Sequence, residues 1–476
     1  MSDRPSARPA PDKELVEIAK YTCRDDVGDG KAYTHARYCL IDAIGCALEA
    51  LGTPECTKLL GPLVPGTVVP HGVRVPGTSY ALDPIKAAFD ISCLIRWLDF
   101  SDTWWAGGHP SDNLGGILAV ADHLSRKQLA AGKEPLTMRE VMTAMIKAYE
   151  IQGVLSEGNH FDRPDTALDS TILVKIASTA VITHLLGGNV EDVTNALSNA
   201  FVDGHPLNIY RMMPNSGPRK SWAAADATAR ATWLALLTMR GEMGYPTALS
   251  AKTWGFSDVL YDGRALKTAA YRCRVISDIQ FKISYPAQRH SQTAAECAVR
   301  LHPLIKDRLA DIDSVIIECH SHTIRMISVE GPLPNFAARD HCLQYVVAVA
   351  LLDGNITTES YEDAHAADPR IDALRKKMVI KENKRYTHDY DAKHGNANAI
   401  QIVFRDGKKT PRIEYEFPVG DPRRRREGIP LLEEKFRGNL ARRYAKKQLD
   451  AVASLMADQK QLEATPVNEF MDLLAV

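Results

Sequence analysis

The apolar residues of this chain change their spacing twice, and few folds accommodate that order. Up to about Cys273 they recur at helical intervals, as in Tyr38, Ile41, Ile44 and Leu48, then Ile91, Leu94, Ile95 and Leu98. Thr137 and Glu140 form a capping-box signature ahead of Val141, Met145 and Ala148. Further helices are expected from Thr171 to Leu186 and from Ala223 to Leu237, the second ending near Gly241. After Cys273 the period becomes two. Val315-Ile316-Ile317 is β-branched, and Ile400, Ile402 and Phe404 alternate up to the turn Arg405-Asp406-Gly407. Ile413, Tyr415 and Phe417 alternate beyond it, which predicts a hairpin. A helix from His341 to Leu352 separates the strand regions, and after Arg423–Arg426 the spacing is helical again from Leu431 to Met456.

This order predicts a mostly α protein. A large all-helical domain is built from both chain ends, residues 1–274 and 419–476, and a smaller α+β lid domain, 275–418, is inserted into it. A chain of 476 residues is long enough for two cores. Its formal net charge of -1 provides no global field for nucleic acid or an anionic membrane, so an anionic ligand needs local cations. No apolar run approaches the ~20 residues that span a bilayer. Arg423–Arg426 lacks flanking stacking aromatics and reads as a solvated or subunit-contacting face. The nine cysteines are scattered without a Cys-x-x-Cys pair, which fits buried thiols in a reducing compartment and offers no nest for an iron–sulfur cluster. Asp3, Asp12 and three prolines make the start a poor mitochondrial presequence, and Leu474-Ala475-Val476 is no peroxisomal address. Cytoplasm is the expected compartment, with the mitochondrion left open.

Three polar clusters stand out. Asp99, Ser101, Asp102, Thr103, His109, Ser111 and Asp112 crowd a helix-to-loop transition beside Gly107, Gly108 and Pro110. Loops on a rigid scaffold commonly carry reactive groups, and a capped helix end has the same composition. Arg219-Lys220-Ser221, after Arg211-Met212-Met213-Pro214, puts cations at a helix start, which suits a carboxylate or is a solvated pair. The third runs from Phe281-Lys282-Ile283-Ser284-Tyr285-Pro286 to His290 and reads either as a site or as a basic strand edge. His320 and His322 lie at strand spacing, but without a third nearby ligand they predict no metal site.

Arg96 to Ser125, Arg219-Lys220-Ser221-Trp222-Ala223-Ala224 and Lys282-Ile283-Ser284-Tyr285-Pro286 together resemble the 2-methylcitrate dehydratase (MmgE/PrpD) family. So do Arg339-Asp340-His341-Cys342, Arg423-Arg424-Arg425, Gly428-Ile429-Pro430 and Pro466-Val467-Asn468-Glu469-Phe470. The likeness runs in order along essentially the whole chain. It implies a homodimer, a pocket between the two domains, and dehydration of a 2-alkylcitrate to the alkyl-cis-aconitate with no metal and no other cofactor. It also implies site residues. Asp99, Thr103 and His109 match the family's aspartate, threonine and histidine, and Lys220 and Lys282 match its two pocket lysines, one from each domain. On this reading Lys220, Lys282 and Arg219 clamp carboxylates and His109 is general acid or base. Asp99 orients that imidazole or binds the departing hydroxyl, Thr103 donates a hydrogen bond, and Ser221, Asp102, Met212, His205 and Arg211 complete the substrate contacts.

Three departures fall close to this pocket. The stretch between Thr103 and His109 is short, a spacing more like the decarboxylases of the family. Ser170 stands where relatives often have a histidine, unless His160 or His205 fills its space. Met212 replaces another histidine, and an apolar contact there suits an alkyl tail longer than methyl, at ~0.8 kcal/mol per buried CH₂. The rival readings are therefore a cis-aconitate-type decarboxylase, and an inactive paralogue that binds tricarboxylates or acts as a scaffold.

Overall fold

The computed structural model describes residues 8–105, 107–159, 161 and 166–476. The helix Gly30–Ala50 is buried along most of its length, with Asp29 capping it by accepting from Lys31 N at 2.9 Å. It packs on the helix Arg425–Arg443 near the other chain end. A Cβ on Gly45 would come within 3.2 Å of the Phe436 ring, so the small residue sets how closely the two approach. Pro84–Arg96, capped by Asp83 with proline in its first turn, packs between Leu114–Ala130 and Arg219–Thr238. Thr171–Leu185 and Met138–Ser156 complete this core, and the Thr137–Glu140 capping box forms, with Thr137 N donating to Glu140 at 2.7 Å.

A second hydrophobic core is separate from the first. It lies under a four-stranded sheet in the order Met378–Glu382, Ile312–Cys319, Asn398–Phe404, Ile413–Tyr415. Ile312–Cys319 buries alternate residues Val315, Ile317 and Cys319 against the helices Gln292–Ile305 and Leu343–Asp353. The hairpin around Asp406-Gly407 is present, with Asn398 opposite Tyr415 and Gly407 at φ 81°. Met378–Glu382 pairs in parallel with Ile312–Cys319, a strand that the alternation does not reveal because its edge residues are mostly exposed or charged.

Two expectations need correction. The helix expected from Leu431 to Met456 is two helices, Arg425–Arg443 and Lys446–Ala457, because Tyr444 turns extended and its hydroxyl donates to Leu474 O at 2.6 Å. His320 and His322 do not share a strand face, since the strand ends at Cys319 and His320 caps the helix Ser321–Ile327. Phe281, Ile283 and Val419 are buried in the first core, so we place the smaller lobe's own packing between about Ala287 and Tyr415. Among the described residues no helix is long and apolar enough to cross a membrane.

Candidate active site

Beyond the helix Pro84–Arg96 the chain turns at Asp99, whose φ of 50° is a left-handed conformation costly for a residue with a Cβ. It then enters the short strand Thr103–Trp104, which pairs antiparallel with Ile279–Gln280. That ladder delivers Lys282, two residues on, to Asp99. Lys282 Nζ donates to Asp99 O at 2.7 Å and lies 3.0 Å from Oδ1. Gly420 makes this approach possible, because a Cβ there would stand 1.9 Å from Phe281 O. The same Asp99 carboxylate receives Arg96 Nη1 at 2.6 Å and His109 Nε2 at 3.0 Å. Burial pushes its pKa up, but Arg96, Lys282 and His109 outweigh burial and hold it well below the carboxylate range. Burial, reinforced by Arg96 and Lys220 against Asp99, lowers the Lys282 ammonium to about 8. Burial, then Arg96 and Lys282, keeps His109 neutral.

A second ion-paired group abuts the first. Lys220, in the first turn of Arg219–Thr238, donates to both Asp340 oxygens at 2.7 and 2.5 Å, and His341 Nδ1 lies 2.6 Å from Asp340 Oδ1. His341 Nε2 stands 4.0 Å from Asp99 Oδ2 and joins the two groups. Burial and the Lys220 charge hold this imidazole below the usual histidine range. Beneath both, Lys435 of the C-terminal helix donates to Asp42 Oδ1, Phe100 O and Lys282 O at 2.8, 2.9 and 2.8 Å. The structure thus brings together Asp99, His109, Lys220 and Lys282. The smaller lobe's contribution is Asp340 and His341, because Lys282 is flanked by residues of the first core.

The remaining candidates have other work. Thr103 Oγ1 donates to Gly108 O at 2.9 Å and braces the loop. Asp102 accepts from Ser111 N at 3.1 Å and Tyr149 Oη at 2.7 Å, so both of its oxygens are spent inside the helical core. Arg211 is clasped by Asp169. Arg219 lies 42% exposed over the Trp222 ring, beside Asp226. Met212 stands 42% exposed on its loop. His205 packs among Phe201 and Phe256 and is lowered to about 3 by burial, so it does not fill the space of the missing histidine. Ser170 lies beside the His109 loop, where a Cβ on Gly108 would meet its Oγ at 3.7 Å; His160 lies outside the described residues. Ser221 Oγ is buried without a hydrogen-bond partner among the described residues. Trp105 stacks on His394 at 3.9 Å and ties the His109 loop to the smaller lobe.

Sequence reasoning missed Arg96, Asp340, His341 and Lys435 as members of this cluster. The acid–base pair Asp340-His341 before an apolar helix was a usable signal, whereas Lys435 looks like any lysine on an amphipathic helix. Ligand atoms of Asp99, Asp340 and His341 lie within 4.8 Å of one another, a spacing that could hold a metal ion. Arg96, Lys220 and Lys282 already bind the same carboxylates, and three cations in one buried cluster suit a polyanion better than a further cation. Arg423, Arg424 and Arg425 reach Lys393 O, Phe417 O and Ile279 O, which makes this basic run a seam between the lobes.

The model of the MmgE/PrpD N-terminal domain matches residues 16–269, and that of the MmgE/PrpD C-terminal domain matches 285–459. The chain is 53% identical to a 2-methylcitrate dehydratase of Cupriavidus necator over 100% of both chains. It is 51% identical to one of Escherichia coli over 98% of both. A 2-methylcitrate dehydratase-like protein, oryR, of Aspergillus oryzae is 40% identical over 98% of this chain and 96% of its own. Both halves of the chain, in order and at full length, belong to the MmgE/PrpD family.

Proposed function

We propose that this chain removes water from 2-methylcitrate to give the methyl-cis-aconitate. The observation that carries the reading is the convergence of Arg96, Lys220 and Lys282 on one buried cluster with two imidazoles held neutral. Its likeness to 2-methylcitrate dehydratases at 51–53% identity supports the substrate.

The substrate carries three carboxylates, and loss of the hydrogen beside one of them builds more negative charge there. Arg96, Lys220 and Lys282 receive carboxylates in exchange for Asp99 and Asp340 and stabilise that charge. Once the substrate draws Lys220 Nζ, 3.0 Å away, off His341 Nδ1, that nitrogen donates to Asp340 Oδ1 and leaves Nε2 to take the proton. The C–H electron pair becomes the double bond as the neighbouring C–O bond breaks. The departing hydroxide takes a proton from Lys282, whose ammonium at about 8 is poised to give it. His109 has Nε2 on Asp99 and Nδ1 3.4 Å from Ser101 Oγ, so we assign it the positioning of Asp99 rather than the proton transfer. Lys220 and Lys282 are 0% and 1% exposed, so admission of substrate requires the lobes to part along the Asp340–Lys220 seam.

Neither decarboxylation nor binding without turnover is favoured by the relatives' names, and Met212, 42% exposed on its loop, gives no support to selection of a longer alkyl chain. The nine free thiols fit a reducing compartment, for which we retain cytoplasm, and exposed Leu63, Val64 and Val68 fit self-association as a dimer. Mass spectrometry of 2-methylcitrate incubated with the protein and a chelator tests the reading. A product lighter by one water is expected, with 2-hexylcitrate the poorer substrate. Release of carbon dioxide instead, or no turnover, would overturn it.

A further inference from the structure

The turn Thr358–Tyr361 bridges the two lobes. Thr358 Oγ1 lies 3.3 Å from Glu49 Oε1, and Arg442 Nη1 lies 3.1 Å from Glu359 Oε1, so its first half is tied to the helical body. Its second half belongs to the smaller lobe. Tyr345 Oη donates to Ser360 O at 2.7 Å, Arg339 Nη1 donates to Tyr361 O at 2.6 Å, and the Tyr345 and Tyr361 rings stack with centroids 6.0 Å apart. Arg339 directly precedes Asp340, the partner of Lys220.

Tyr361 is therefore fixed from several directions and only 6% exposed, yet its hydroxyl has no hydrogen-bond partner among the described residues. A buried donor left unpaired is destabilising, and a protein keeps one where something else supplies the acceptor. Burial, then the charge of Asp340 with Asp99 behind it, keeps the phenol protonated and so a donor. Neither carboxylate accepts from it in this structure. Asp340 pairs with Lys220 and His341, and Asp99 pairs through Oδ1 with Arg96, Lys282 and His109.

We propose that Tyr361 is a further substrate-binding residue, whose hydroxyl donates a hydrogen bond to a carboxylate oxygen of the tricarboxylate held at the Lys220–Asp340 side of the cluster. The inference takes its ligand class from the dehydratase reading but requires only binding, not turnover.

The test compares wild type with Tyr361→Phe, which keeps the ring and the stack. The probe is tricarballylate, a tricarboxylate without the hydroxyl, titrated by calorimetry, with ligand-free thermal midpoints measured alongside. Loss of one donor to a charged acceptor should weaken tricarballylate about 10- to 100-fold. The ligand-free midpoint should stay level or rise, because the variant removes an unpaired buried group. An unchanged tricarballylate affinity would overturn the proposal, whatever the midpoint does. So would weakening confined to 2-methylcitrate, which would put the phenol on the substrate hydroxyl. Wild-type protein that binds tricarballylate through Tyr361 without dehydrating 2-methylcitrate would keep this inference and sink the dehydratase reading. Wild type that does not bind tricarballylate would overturn the inference itself.

Discussion

His341 Nε2 of the smaller lobe faces Asp99 Oδ2 of the helical body at 4.0 Å, across the seam between two ion-paired groups. Each group is closed within itself, Arg96–Asp99–Lys282 on one side and Lys220–Asp340–His341 on the other. A polyanion that replaces the two aspartates would meet both sets of cations and the open nitrogen of His341.

His341→Gln should lower kcat by ~10²–10⁴-fold, the usual contribution of a placed base. His109→Ala should also lower it, by at least ~10²-fold, through loss of the group that orients Asp99. Steady-state pH profiles separate the two. The acid limb, which lies below the ordinary histidine range in the wild type, should vanish in the first variant and persist in the second.

Lys282 sets the alkaline side. With its ammonium lowered to about 8, the proton needed by the departing hydroxide is lost as pH rises through that value. kcat/KM should fall there. Lys282→Arg, which stays charged, should move the fall to higher pH at the cost of rate.

Lys435 is expected to matter for folding as much as for the site. Its ammonium compensates the buried Asp42 and fixes both Phe100 O and Lys282 O. Lys435→Met leaves the Asp42 carboxylate buried without its ammonium partner, at a cost of about 3–5 kcal/mol. Denaturant titration should show that loss, and the surviving folded protein should bind tricarballylate more weakly.

Asp112 is buried, its Oδ1 has no partner among the described residues, and Arg96 Nε is 3.8 Å from Oδ2. Burial, with Asp102 and Asp99 adding to it against Arg96, raises this carboxyl to about 8. The native state therefore keeps a proton that the unfolded chain releases above about 4. Its stabilising effect is complete below that pH and is lost as pH rises through about 8. Thermal midpoints of Asp112→Asn should gain on wild type steadily from about pH 4 to about pH 8 and hold that gain above it.

The lobes and most elements were legible because burial imposes a period: Ile41, Ile44 and Leu48 on a helix, Ile400, Ile402 and Phe404 on a strand. Lys220, Lys282, Asp99 and His109 lie in dense polar runs that fit a capped helix end or a basic edge equally well, and the resemblance to the family is what singles them out. Asp340 and His341 lie in a motif of the family, but nothing local shows that Asp340 faces Lys220 from 120 residues away. Asp102 and His205 were read as ligands because sequence shows residue type and not direction. The backbone turns Asp102 toward Tyr149, and His205 into a ring cluster. The edge strand Met378–Glu382 stayed hidden because an exposed edge carries charge in place of alternation.

The most direct test is a crystal structure of the protein with tricarballylate bound. Carboxylate oxygens within hydrogen-bond distance of both Lys220 Nζ and Lys282 Nζ, with His341 Nε2 beside the central carbons, are the expected result. A ligand seated elsewhere, with the Lys220–Asp340 and Lys282–Asp99 pairs intact, would contradict the account.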